Sequence, residues 1–511
     1  MEILKIRNLS FSYPSKEEKA LSNLSFSVHA GEFLVLCGQS GCGKTTLLRL
    51  LKKELSPNGT KEGEIFFEGR TLEELEDYRS ASEIGFVLQN PEMQIVTDKV
   101  SSELAFGLEN LGVDQEEMRL RVGEMASYFG IEGLFRKQTG TLSGGQKQLL
   151  NLAAVMVLSP KILLLDEPTA QLDPIAASNF ISALHKINRE LGVTVILAEH
   201  RLEEVFPLAD RVAVLEEGRL VCLDEPKAVC KNLGKHPLSC GFPAAVRIFS
   251  GLKGEGECPI SVKEGRSFLR HFPPKSLLLP QEPQSGETAL SLENAWFRYE
   301  RQSPDILRGL NLKVYTGEFF SVLGGNGAGK TTTLRILASV IKADEGQVCL
   351  DGADITGNLM DYRRHIGFLT SELKLEDYFT PNYLFDYFSK LYGVGEEQAA
   401  QRKKELFEKF GIDKFAEVKV ADMSTGMKQK ISLVISIVHN PDIIIFDEPT
   451  NGLDVITERI VVNFLKELRE QGKCIIISSH IFSLIEKICD RVVIIIRGKS
   501  VCWKMLWRDS R

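Results

Sequence analysis

Apolar and polar residues alternate through the opening stretch, MEILKIRNLSFSYP (1–14), as they do in a half-buried strand. Further on, the pattern changes to short unbroken apolar runs: FLVLC (33–37), ILLL (162–165), VTVIL (193–197), FFSVL (319–323), IIIF (443–446) and CIII (474–477). Runs this short, rich in leucine and β-branched residues, fit parallel strands buried on both faces. Helical patterns lie between them, including those through 47–51 and 334–337. The chain therefore reads as doubly wound α/β.

The pattern occurs twice. GQSGCGKTTLLRLL begins at Gly38 and GGNGAGKTTTLRIL at Gly324, an offset of 286. LSGGQKQ (142–148) and MSTGMKQ (423–429) stand 281 apart, as do ILLLDEPTAQLD (162–173) and IIIFDEPTNGLD (443–454), and His200 and His480 stand 280 apart. A period this long is no solenoid; it marks two homologous domains in tandem, expected at 1–228 and 288–511. Residues 229–287 differ. GFPAAVRIFSGL and ISVKEGRSFLRHF read as short amphipathic helices, the second with Ser261 and Glu264 spaced as a capping box. PPKSLLLPQEPQSGE (273–287), with its four prolines, reads as an extended linker.

Composition narrows the function. A net charge of -7 gives no basic footprint, so no nucleic-acid partner is expected. Ten irregularly spaced cysteines fit reduced thiols, and no run approaches the ~18 apolar residues of a membrane span. The expectation is a cytosolic chain. Cys230, Cys240 and Cys258 lack the paired form of a metal site, and 396–410 reads as a solvated helix of mixed charge.

Each half carries phosphate chemistry. Gly38, Gly43, Lys44 and Thr45 fit G-x-x-x-x-G-K-[ST], as do Gly324, Gly329, Lys330 and Thr331. In such a loop the glycines, with Gly41 and Gly327 between them, let backbone N–H groups wrap phosphate at a helix N-terminus. Lysine adds a charge, and the hydroxyl ligates magnesium. Thr46 and Thr332 complete the loops. Asp166 and Asp447 end apolar strands, where a carboxylate holds Mg2+ through water; Glu167 and Glu448 follow as natural bases for an attacking water. Cys42, inside the first loop, reads as filler whose thiol would make the site sensitive to alkylation if it were reachable.

Phosphate loop, Gln89, LSGGQ, DEPT, LD and a downstream histidine together resemble the ATP-binding domain of the ABC superfamily, over both halves. The resemblance implies two tandem P-loop ATPase domains. Each would have a mainly parallel sheet core, an antiparallel β subdomain and a helical signature subdomain. It further implies that the two pair head to tail, with ATP between one phosphate loop and the other domain's signature: Ser143, Gly144, Gly145 and Gln146 in one half, Ser424, Thr425, Gly426 and Met427 in the other. Tyr13 and Tyr299, each 25 residues before the first loop glycine, match the aromatic that stacks on adenine, although either alone is an ordinary strand tyrosine. His200 and His480 match the switch histidine at the γ-phosphate, and Asp173 and Asp454 the loop between domains.

The halves resemble different branches. GFVLQNPEMQIVTDKVSSELAFGLENLGV (85–113) is similar to energy-coupling-factor (ECF) importer ATPases, in which Gln89 would bridge metal and membrane subunit. In the second half Ser371 stands where Gln89 does in the first, and with MSTGM this resembles ABC-2 type sodium and drug exporters. Lys330, Asp447, Glu448 and His480 are all present, which favours a working variant over a relic. The expectation is an ATP-hydrolysing subunit on the cytoplasmic face of the membrane. It would dock separate transmembrane subunits near 85–113 and 367–392, most plausibly for ECF-type import. The alternatives are ABC-2 export, a soluble twin ATPase acting on ribosomes or DNA, and one catalytic half with one regulatory half. The cargo is not legible.

Overall fold

The computed structural model describes the 511-residue chain apart from residues 15–17, 201, 235, 271, 273–285, 301–302, 326, 371–374, 451–452, 454, 480–484, 486–487 and 506–511. Ser371, Asp454 and His480 thus lie outside the described residues. The chain divides into two compact units, Met1–Lys275 and one made of Ser276–Leu453 with Thr457–Arg511.

In the first unit, the alternating opening residues form Glu2–Ser12, paired antiparallel with Leu21–His29 and Thr60–Phe67 in a four-stranded sheet. The unbroken apolar runs form a six-stranded sheet in the order Arg219–Asp224, Arg211–Glu216, Phe33–Gly38, Thr194–Ala198, Ile162–Asp166, Ile84–Val87. All its pairs are parallel except the Arg219–Asp224 edge. Strand alternation explains why the runs are apolar at every position. Leu34, Leu36, Leu164 and Ile196 face a core shared with the antiparallel sheet, whereas Phe33, Val35, Leu163 and Val195 face one shared with the helix Pro174–Leu191. The third central strand starts one residue later than the hydrophobic run, because Gly192 caps the preceding helix in the left-handed conformation at φ 68°. Helices Val100–Asn110, Gln115–Tyr128 and Gly144–Met156 close a separate core around Leu104, Val122 and Leu150.

The stretch after Asp224 packs back on this unit. Val229, Cys230, Leu238, Phe242, Val246 and Cys258 are buried in the core on the helical side of the sheet. The capping box expected from Ser261 and Glu264 forms at the start of Val262–Leu269. Cys37, Cys42, Cys222, Cys230, Cys258, Cys349, Cys474 and Cys489 are free thiols.

The second unit repeats the plan. Its small sheet runs Leu307–Tyr315, Thr288–Phe297, Glu345–Leu350, Ala353–Asp354, and its large one Ile366–Leu369, Ile443–Asp447, Cys474–Ser478, Phe319–Leu323, Arg491–Ile496, Lys499–Met505. The charged run 396–410 is the helix Glu396–Phe410, which buries Ala399, Leu406, Phe407 and Phe410 and leaves most of its charges in water. Among the described residues no helix is long and apolar enough to cross a membrane.

His439 is a neutral histidine fixed in this second unit. Its ring stacks on Tyr392 at 3.9 Å, Nε2 donates to the Ile366 carbonyl at 3.1 Å, and Nδ1 is buried without a hydrogen-bond partner among the described residues. Burial, helped by Arg402 and Lys473, pushes its pKa down to about 4, against the Ile366 hydrogen bond. The unfolded chain takes up this proton below its ordinary value of 6.5, and the folded chain only near 4, so stability falls with pH across that window. His439→Phe should flatten this acid loss; thermal unfolding of both proteins at pH 7 and pH 5 checks it, with the wild type losing more.

Candidate functional site: two phosphate-loop centres

In the first unit the strand Phe33–Gly38 runs into a turn that ends at the helix Lys44–Leu50. Gly41 and Gly43 sit at φ 83° and 103°, where side chains are strained. A Cβ on Gly43 would also lie 2.7 Å from the Ala20 carbonyl. Lys44 is 4% exposed, and its Nζ donates to the carbonyls of Gly38 (3.0 Å) and Gln39 (3.2 Å). Thr45 Oγ1 donates to Asp166 Oδ1 at 2.9 Å, which brings the loop hydroxyl to the end of the strand Ile162–Asp166. Cys42 is buried, and burial raises its pKa above the ordinary thiol value, which disfavours the reactive thiolate.

Glu167 is the hub. It adopts φ 46°, a left-handed conformation costly for a residue with a Cβ, and its N–H donates to the Ala198 carbonyl at 3.0 Å. Turned this way, its carboxylate faces three groups named from the sequence. Gln89 Nε2 donates to Oε2 at 3.2 Å, His200 Nε2 lies 2.8 Å from Oε1, and Lys44 Nζ lies 3.8 Å from Oε1. Tyr13 is half-buried and shares a 3.0 Å hydrogen bond between its hydroxyl and Thr46.

The second unit reproduces this frame. Lys330 Nζ donates to Gly324 (2.7 Å) and Gly325 (3.4 Å), Thr331 Oγ1 to Asp447 Oδ2 (2.8 Å), and the Tyr299 hydroxyl lies 3.4 Å from Thr332 Oγ1. Gly327 and Gly329 are again left-handed, and Glu448 repeats the strained backbone at φ 51°.

The signatures open helices. Ser143 caps Gly144–Met156 in a capping box: its Oγ accepts from Gln146 N (3.3 Å), and Gln146 Oε1 accepts from Ser143 N (3.1 Å). Gly145 is sterically required, since a Cβ there would come within 2.7 Å of the Ala176 Cβ. In the second unit Ser424 Oγ accepts from Met427 N, but Met427 has no oxygen to return the bond. Among the described residues, Gly426 has only Leu453 within reach of an added Cβ, at 4.0 Å. Asp173 caps the helix Pro174–Leu191 by accepting from Ala176 N at 2.9 Å.

Two residues absent from the sequence reading stand beside these groups. Glu199 is 2% exposed and accepts from Thr169 N and Oγ1 and from His200 N, tying the DEPT turn to the histidine. Its signal was a carboxylate directly before His200 at the end of a buried strand. Ser478, at the position of Ala198, donates to Asp447 Oδ1 and accepts from Glu448 N.

Both halves match one family model, described as ABC transporter, over residues 21–170 and again over 307–451. The chain belongs to the ABC transporter ATP-binding family. A provisionally named ABC transporter ATP-binding protein of Bacillus cereus (strain ATCC 10987 / NRS 248) is 39% identical over 97% of this chain and 90% of its own. A Bacillus subtilis (strain 168) protein, provisionally named an HMP/thiamine import ATP-binding protein, is 28% identical over 97% of this chain and 90% of its own. The solved structure of CbiO1 from Clostridium perfringens, described as part of the ABC transporter complex CbiONQ, aligns with 47% of this chain and 97% of its own, at 31% identity and a TM-score of 0.42. As a member of the ABC family the chain is an ATP hydrolase that serves as an ATP-binding subunit.

Asp166 reports the electrostatics of the first centre. Burial, and then the Glu167 carboxylate, push it up to about 6 against Thr45, Arg49 and Lys44. A raised carboxyl favours the fold where it is protonated, below its ordinary value of 3.8, and that contribution is lost as pH rises through about 6. Asp166→Asn should therefore stabilise the nucleotide-free chain at pH 7.5 by up to about 3 kcal/mol, with the gain shrinking toward pH 4. Thermal unfolding at the two pH values checks it.

Proposed function

We propose that this ABC ATPase energises ECF-type import of a small molecule or ion through transmembrane subunits on separate chains, from the cytoplasmic face of the membrane. The observation that carries the reading is the Gln89–Glu167–His200 constellation, since Gln89 opens the segment 85–113 that resembles ECF ATPases. The import name of the Bacillus subtilis relative supports it. MSTGM and Ser371 favour ABC-2 type export as the second reading.

In this reading 1–228 and 288–511 are the ATP-binding domains and pair head to tail. Lys44 and Thr45 hold one ATP against the Ser424–Met427 signature, and Lys330 and Thr331 hold the other against Ser143–Gln146. Tyr13 and Tyr299 stack on adenine, and Asp173 and Asp454 meet across the pair. The converging oxygens of Thr45 with Asp166, and of Thr331 with Asp447, are the hard ligands Mg2+ prefers, and Gln89 completes the first set. Magnesium, when bound, neutralises charge on the phosphates. Glu167 and Glu448 accept the proton of the water that attacks the γ-phosphorus as the bond to ADP breaks, and His200 and His480 orient the γ-phosphate. Closure on ATP pushes the partner subunits at 85–113 and 367–392, and hydrolysis reopens the pair.

Both centres hydrolyse in this scheme, at different rates. Glu167→Gln and Glu448→Gln should each remove one centre, slowing it ~100-fold or more, and each should leave measurable steady-state turnover that only the double substitution abolishes. If one substitution leaves turnover untouched while the other abolishes it, the two-centre reading is wrong. Gentle affinity purification should bring down a polytopic membrane protein; ribosomal RNA in its place would point to the soluble twin-ATPase class.

A further inference from the structure

Residues 88–94, which carry Gln89, are fastened from two sides. From within, Gln94 Oε1 accepts from Leu88 N at 2.9 Å and its Nε2 donates to the Phe86 carbonyl at 3.1 Å. From outside, the signature helix Gly144–Met156 reaches across. Gln148 Nε2 donates to the Leu88 carbonyl at 3.0 Å and Asn151 Nδ2 to the Pro91 carbonyl at 3.1 Å, bracketing Gln89. Beside Gln148, Lys147 pairs with Glu92 at 2.6 Å.

The amides are costly where they stand. Gln148 is 0% and Asn151 1% exposed, and neither Gln148 Oε1 nor Asn151 Oδ1 has a hydrogen-bond partner among the described residues. A buried amide oxygen left unpaired destabilises the fold, and apolar side chains of similar size would avoid that. Their donors, aimed at two loop carbonyls, are what the positions use. At the same offset among the described residues of the second unit, Gln429 Nε2 faces the Pro449 carbonyl at 3.5 Å, and Ser432 bonds within its own helix to Lys428.

We infer that Gln148 and Asn151 are positioning residues that make the Gln89 loop move with the signature helix, so that engagement of Ser143 sets where Gln89 meets Glu167. The Gln89 side chain, 3.2 Å from Glu167 Oε2, is the last link in a path that starts at the Ser143 cap. The inference rests on Glu167 being the base of the Lys44 centre.

The test uses the full chain carrying Glu448→Gln, so that steady-state turnover reports the Lys44 centre. Gln148→Met and Asn151→Leu should each lower kcat roughly tenfold, the scale of a misplaced catalytic group, while KM for ATP stays within about twofold and the thermal midpoint does not fall. An unchanged kcat, or a loss of kcat matched by a raised KM and a lowered midpoint, would overturn the inference. If the Glu448→Gln parent itself shows no turnover, the reading of Glu167 fails instead. Amide exchange over 88–94 in the nucleotide-free protein then decides the clamp: faster exchange in both variants supports it, and unchanged exchange sinks it.

Discussion

Each centre depends on one constraint, the need for two adjacent carboxylates at the end of a buried strand to serve different neighbours. Asp166 keeps the strand conformation and meets Thr45, and Asp447 likewise meets Thr331. The following residue cannot simply continue the strand. Its backbone turns left-handed, at φ 46° in Glu167 and 51° in Glu448, which costs about 1 kcal/mol or more for a residue with a Cβ. The strain is held in place by the neighbouring strand, through the carbonyl of Ala198 in one unit and of Ser478 in the other. Once that turn is fixed, the positions of Gln89, His200 and Lys44 around Glu167 follow from where their own strands and helix end.

The two units meet this constraint with different buried hydrogen bonds. In the first, Glu199 ties the DEPT turn to His200, and the signature helix holds the loop of Gln89. In the second, Ser478 supports Asp447 and Glu448 directly, and Gln429 turns toward Pro449. The exchange of Gln146 for Met427 also removes the return bond of the capping box at the second signature.

Much of this frame was legible in the sequence because it is written locally. Loop glycines at positive φ, strands ending at Asp166 and Asp447, and the Ser261–Glu264 cap all depend on neighbours within a few residues. What stayed hidden has distant partners. Gln148 and Asn151 bond to carbonyls 60 residues away, and Glu199 accepts from a threonine 30 residues away, and nothing in a side chain's own surroundings names such a partner. The apolar faces of 229–270 were legible too, but not that they cover the helical side of the first sheet. Ser371, Asp454 and His480, equally plain in the sequence, fall outside the described residues.

A copy released from function relaxes first where its structure is most expensive. Buried charge is expensive unless paired, and left-handed backbone is expensive outside glycine. The second unit keeps both: Lys330 and Asp447 are almost wholly buried, and Glu448 holds its strained turn although a glycine there would be easier. Where it departs, Met427 stands for Gln146 and Ser432 for Asn151 on the signature helix, and Ser371 stands for Gln89, a member of the first centre. Retention of the costly lysine, aspartate and left-handed glutamate supports the proposal that the second centre works, and the departure at Ser371 supports the proposal that it works at a different rate.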